Sequence, residues 1–233
     1  RKQITNALNA AFPIFACQWI RWSVILFDLD GTLTESGIGI TRSAAYALDQ
    51  LGISHPAPED LSVFVGPPLR ETFPKFGVKE EDVDQAIQIF RSRYTTIGKF
   101  ENQPYDGIEQ MLKDLKENGF HLFVATSKPE NIAKEILEHF HLSQYFEEIA
   151  GASLDASREN KSAVIAYLLE KQDVKDAIMI GDTDFDVLGA KEHAIPCIGV
   201  NWGYGNKQSM IKAGAVTVVD TVEQLEEYLK KNA

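Results

Sequence analysis

Six short apolar runs constrain this chain more than any other feature: SVILFD at 23–28, FHLFVAT at 120–126, EEIAGA at 147–152, AIMIGD at 177–182, IPCIGV at 195–200 and AVTVV at 215–219. Their apolarity is continuous rather than alternating. A strand with one wet face alternates apolar and polar side chains, so a continuous run implies burial on both faces, as in a parallel sheet between two helix layers. Helix-period segments separate most of the runs. Ile108, Met111, Leu112 and Leu115 fall on one stripe after Asp106, with Glu109 completing a capping box and Gly119 as a stop. Pro129 opens a second helix carrying Ile132, Ile136 and Leu137, and Val164, Ile165, Leu168 and Leu169 mark a third. The alternation predicts an α/β fold built on a doubly wound parallel sheet.

One region breaks that alternation. Residues 38–100 read as helical, in stretches such as ITRSAAYALDQLG and EEDVDQAIQIFRSRYTTIG, and only SVFVG resembles a strand. The economical organisation is a core of residues 23–37 and 101–233 with a mostly helical insertion at 38–100, hinged near Gly37, Gly39 and ENQPYDG. Residues 1–22 read as an N-terminal extension of unknown role, with an apolar stretch too interrupted and too short for the ~20 residues of a spanning helix.

Charge and cysteine usage narrow the partners. A formal net charge of -11 argues against a nucleic-acid footprint or a basic membrane-binding surface, since both need clustered positive charge. Cys17 and Cys197 stand far apart in no metal-type spacing, which suits a reducing cytoplasm. The five histidines share no ligand spacing either.

Ligands of open α/β sheets bind beyond the carboxyl ends of the strands. That rule gathers Asp28 and Asp30 after the first strand, Thr126 after the second, Asp182, Asp184 and Asp186 after AIMIG, and the loop containing Lys161. Carboxylates crowded in this way repel one another, which raises their pKa values or demands a cation. A hard divalent ion with oxygen ligands, Mg²⁺ above all, resolves the conflict.

The ordered set DLDGTL, VATSK, Lys161 and GDTDFD resembles the haloacid dehalogenase superfamily of phosphohydrolases, in its phosphoglycolate phosphatase-like branch with a helical cap. The resemblance spans about residues 24–225. It implies a Rossmann-like core, with residues 38–100 as the cap. It implies Asp28 as the nucleophile that forms an aspartyl-phosphate and Asp30 as general acid, then base. It implies Mg²⁺ held by the carboxylates of Asp28 and Asp182 and the backbone carbonyl of Asp30, with Asp186 at the metal or its waters. Thr126, Ser127 and Lys161 would bind the phosphoryl group. Asp184 occupies a position the family pattern leaves open, Glu35 replaces an Asp common in relatives, and NWGYG at 201–205 resembles the loop at the active-site mouth.

The activity implied is hydrolysis of a small phosphorylated metabolite, phosphoglycolate or a nucleoside 5'-monophosphate, by a monomer or homodimer. Halide leaves without a proton whereas an alkoxide benefits from one, so Asp30 favours phosphate esters over dehalogenation. A sugar phosphomutase of the β-phosphoglucomutase kind, a pyrophosphatase and a non-catalytic phosphate-binding module remain as alternatives. Specificity is expected from the insertion, where Arg70 after the stiff Gly66-Pro67-Pro68 turn is suited to a substrate carboxylate or second phosphate.

Overall fold

The structure is a computed structural model that describes residues 22–153, 157–172, 174 and 176–232. The six apolar runs all form strands: β1 (Val24–Phe27), β2 (His121–Pro129), β3 (Glu148–Ala152), β4 (Ala177–Gly181), β5 (Cys197–Val200) and β6 (Thr217–Val219). They build one sheet in the order β3-β2-β1-β4-β5-β6, with every pairing parallel. Every residue of β1 and of β4 is buried, as continuous apolarity requires. Ile25 and Phe27 belong to the apolar cluster on one face of the sheet, and Val24 and Leu26 to that on the other.

Between β1 and β2 the described chain forms helices: α1 (Gly37–Gln50), α2 (Leu69–Thr72) and α3 (Val83–Tyr94), linked by short 3₁₀ turns, then α4 (Ile108–Glu117). The SVFVG segment is not a strand. Ser62–Phe64 is a 3₁₀ turn that drives Phe64 against Phe73 and Phe76, with ring centroids 5.0 Å away in each case. Pro67 and Pro68 follow it and lack the N–H groups a strand ladder uses. Gly39 is no hinge but lies inside α1 at a close approach, where a Cβ would stand 1.9 Å from the Gly98 carbonyl oxygen.

The remaining helices are α5 (Glu130–His139), α6 (Lys161–Gln172), α7 (Asp184–Lys191), α8 (Lys207–Ala213) and α9 (Val222–Lys231). Two helix starts differ from the sequence reading. Gly107, with φ of 84°, takes the N-cap position of α4, so Asp106 lies one residue too early and no side chain caps that end. Pro129 ends β2 and caps α5 from outside instead of opening it. Most of the N-terminal extension lies outside the described residues, as does Cys17. Trp22 is described, and it is buried with its ring 6.1 Å from that of Tyr228.

The sheet order reverses direction between β1 and β4. Connections from these neighbours leave to opposite sides, which opens a crevice at their carboxyl ends.

Candidate functional site

Asp28 is the first residue beyond β1, and its N–H donates to the Ile180 carbonyl of β4 at 2.9 Å. That bond fixes it at the crevice between the two strands. Three residues on, Gly31 turns the chain with φ of 80°, a conformation open to glycine, and a Cβ there would lie 2.2 Å from Asp182 Oδ2. The turn can therefore press against the β4 loop only because residue 31 has no side chain.

From the β4 side come Asp182 and Asp186, both buried. Asp182 Oδ2 accepts the Tyr204 N–H at 2.8 Å, and Thr32 Oγ1 donates to its Oδ1 at 3.4 Å. Asp186 closes a capping box at the start of α7: its Oδ2 accepts the Thr183 N–H at 3.0 Å and the Thr183 hydroxyl at 2.8 Å. The cap leaves Oδ1 turned towards the crevice, where Lys161 Nζ stands 2.8 Å away. Asp184 does not join the carboxylate cluster.

Lys161 opens α6 and is buried. Its ammonium is 2.6 Å from Asp28 Oδ1 and donates to the Ala125 carbonyl at 2.9 Å. With Asp186, these acceptors occupy all three N–H donors, so Lys161 bridges the carboxylates from below. Burial opposes its charge, but Asp186 and Asp28 more than compensate and hold its pKa above the ordinary lysine value.

Asp28, Asp182 and Asp186 each offer an oxygen, all within 4.8 Å of one another. Burial pushes Asp28 up to about 6, and Asp186 and Asp30 add to the rise while Lys161 opposes it. Burial, then Asp186 and Asp28, hold Asp182 well above the ordinary carboxylate range. With all three ionised, one ammonium leaves two negative charges in excess. Octahedral Mg²⁺ binds oxygens at about 2.1 Å, so a set of this spacing and charge fits it. Asp30 is not in this set, in keeping with a backbone-carbonyl role at most.

The Asp30 side chain has a separate partner. Lys128 Nζ lies 2.6 Å from Asp30 Oδ2 and donates to the Tyr94 hydroxyl at 2.6 Å. Lys128, inside VATSK, carries no signal of this role in the sequence, because an isolated lysine reads as a solvated charge. Alternation along β2 was the available signal. Thr126 and Lys128 face inward and are buried, whereas Ser127 between them is exposed. Thr126 Oγ1 accepts the Lys128 N–H at 3.2 Å within the strand, four residues before α5 begins, so it is not a helix cap.

Ser127 makes no hydrogen bond or ion pair with the cluster side chains. Arg70, on α2, is exposed and pairs with Asp84 of α3. The NWGYG loop does reach the crevice: Trp202 Nε1 donates to the Thr32 carbonyl at 3.1 Å, and Tyr204 Oη accepts the Gly37 N–H at 2.6 Å.

Comparison with known proteins agrees with this geometry. The family model for haloacid dehalogenase-like hydrolases matches residues 25–200. A protein of Pseudomonas aeruginosa named 5'-nucleotidase is 41% identical over 194 residues, covering 82% of this chain and 88% of that protein. Tyrosine-protein kinase PtkA of Mycobacterium tuberculosis is 40% identical over 210 residues, covering 88% of this chain and 72% of that one. The crystal structure of a predicted phosphatase from Clostridium acetobutylicum superposes with a TM-score of 0.85 at 44% identity, covering 91% and 99% of the two chains.

Proposed function

The chain belongs to the haloacid dehalogenase-like hydrolase family, and from that premise we propose that it is a Mg²⁺-dependent phosphatase of small phosphomonoesters. The observation that carries this reading is the separation of Asp28 and Asp30. They stand two residues apart, yet each has its own lysine, Lys161 for one and Lys128 for the other. Two carboxylates in different settings can take different chemical parts.

Asp28 attacks phosphorus and forms the aspartyl-phosphate, while Asp30 gives a proton to the departing alkoxide. In the second half Asp30 takes a proton from the attacking water, and the Asp28 carboxylate leaves as phosphate is released. Lys161 favours the ionised, nucleophilic form of Asp28, offsetting its burial. The carboxylates of Asp28 and Asp182 and the backbone carbonyl of Asp30 would hold Mg²⁺, with Asp186 at the ion or its waters. When bound, the ion neutralises charge on the phosphoryl oxygens. Thr126 would contribute to holding the phosphoryl group.

The helical segment 38–100 serves as the cap and sets specificity. Similarity to a protein named 5'-nucleotidase supports a nucleoside 5'-monophosphate ahead of phosphoglycolate. The reading is tested by phosphate release from a panel of phosphorylated metabolites, including phosphotyrosine because of the PtkA similarity, with Mg²⁺ or with chelator. Turnover that ignores the chelator, or that survives Asp28→Asn, sinks the mechanism. Isomerisation of a sugar phosphate without net phosphate release selects the mutase.

A further inference from the structure

Asp30 handles protons in both halves of the proposed reaction, so its carboxyl must be held at one place facing the bridging oxygen. Its own position does not guarantee that. It lies in a turn, and its side chain is 21% exposed. The Asp30 Oδ1 atom is buried without a hydrogen-bond partner among the described residues, while Oδ2 is gripped by Lys128. An anchored oxygen beside a free one is the arrangement that lets a carboxyl carry a proton in a fixed direction.

Lys128 is itself over-determined. Its side chain is 6% exposed, in β2, and its ammonium lies 4.8 Å from the centre of the Tyr94 ring as well as bonding the Tyr94 hydroxyl. Tyr94 ends α3, in the segment assigned as the cap, and is fixed by stacking on Phe90 at 5.5 Å. The chain Tyr94, Lys128, Asp30 thus runs from the cap through the sheet to the reacting centre. Burial works against the Lys128 charge, and Asp30 and Tyr94 more than restore it, so the ammonium is a permanent cation here.

We propose that Lys128 is the positioning residue for Asp30, and that Tyr94 makes this positioning depend on the cap being seated on the core. The idea rests on the phosphatase reading and on Asp30 as the proton donor. A residue that aims the donor matters in proportion to the leaving group's need for a proton. A 4-nitrophenolate leaves without one, whereas an alkoxide does not.

The test compares kcat/KM on 4-nitrophenyl phosphate with kcat/KM on the better of adenosine 5'-monophosphate and 2-phosphoglycolate. The proteins are wild type, Asp30→Asn, Lys128→Met, Lys128→Arg and Tyr94→Phe, each checked for an unchanged circular dichroism spectrum. Lys128→Met is expected to lose about 100-fold on the alkyl ester and less than about 10-fold on the aryl ester. Lys128→Arg should recover part of the alkyl activity. Tyr94→Phe keeps the ring, and should show the same selective loss at smaller size.

Asp30→Asn separates the two ways of failing. If it discriminates between leaving groups and Lys128→Met does not, the positioning role is overturned while the phosphatase reading stands. If Asp30→Asn itself fails to discriminate, the proton donor is misassigned and both fall. If Tyr94→Phe matches wild type on both esters, the coupling to the cap is overturned.

Discussion

Asp28 shows at the scale of one residue how burial and function oppose each other. The proposed nucleophilic role needs an ionised carboxylate, yet desolvation raises its pKa from 3.8 to about 6. For a raised acid the sign of the stability effect is fixed. Below about pH 4 the group is neutral whether folded or unfolded. As pH climbs towards 6 the unfolded chain ionises first, and above 6 the folded state carries the full penalty. A divalent ion competes for the same oxygens as the protons and relieves that penalty. Mg²⁺ should therefore raise the melting temperature more at about pH 7.5 than at about pH 5, as read by differential scanning fluorimetry. Equal shifts at the two pH values would remove the carboxylate cluster as the metal site. Asp28, Asp182 and Asp186 were legible because each follows a run whose burial was itself legible. The contact of Lys128 was not, because the sequence does not say where a long cationic side chain points. Lys128 went inward with its strand, and Arg70 found Asp84 on the next helix.

Elements were easier to read than their ends. All six strands were found, since burial on both faces leaves a pattern in every residue, but a helix start depends on one backbone conformation. DGIE offered an apparent capping box at Asp106 and Glu109, yet the positive φ of Gly107 moves the start of α4 past it. The box that forms is Thr183 with Asp186, and it was hidden because Asp186 had already been read as a site residue. The two positions make a matched comparison. Thr183→Ala removes the hydroxyl that donates to Asp186, leaves the backbone N–H bond in place, and should cost about 1 kcal/mol in urea denaturation. It should also weaken Mg²⁺ binding in calorimetry, because Asp186 loses one of the two donors that fix its Oδ2. Asp106→Ala, at an exposed side chain that caps nothing, should stay within about 0.5 kcal/mol of wild type. Equal costs for the two would mean that the cap at α7 holds nothing in place.

At the scale of the molecule the question is whether the helical segment after β1 is a separate body or part of one core. Its sequence suggested an insertion, because it has no strands, and the polar hinge candidates around it suggested independence. The packing argues otherwise. One continuous apolar cluster joins Ile25, Phe27 and Val124 of the sheet to Phe64, Phe73, Val83 and Phe90 of the helical segment. Polar links cross the same seam: Lys128 to Tyr94, and Lys99 to Glu135 on α5. Phe73 is fully buried and touches Phe64 and Phe90 edge-on. Phe73→Ala should cost about 3–5 kcal/mol of stability through the cavity it leaves. If the cluster acts as one core, that loss lowers the whole unfolding transition, including the part reported by tryptophan fluorescence from Trp22 and Trp202, which lie on the sheet side. A shared transition that moves to lower urea concentration is the expected result. If the tryptophan transition stays in place while helical circular dichroism is lost earlier, the cap unfolds by itself, and the seam is a hinge rather than a shared core.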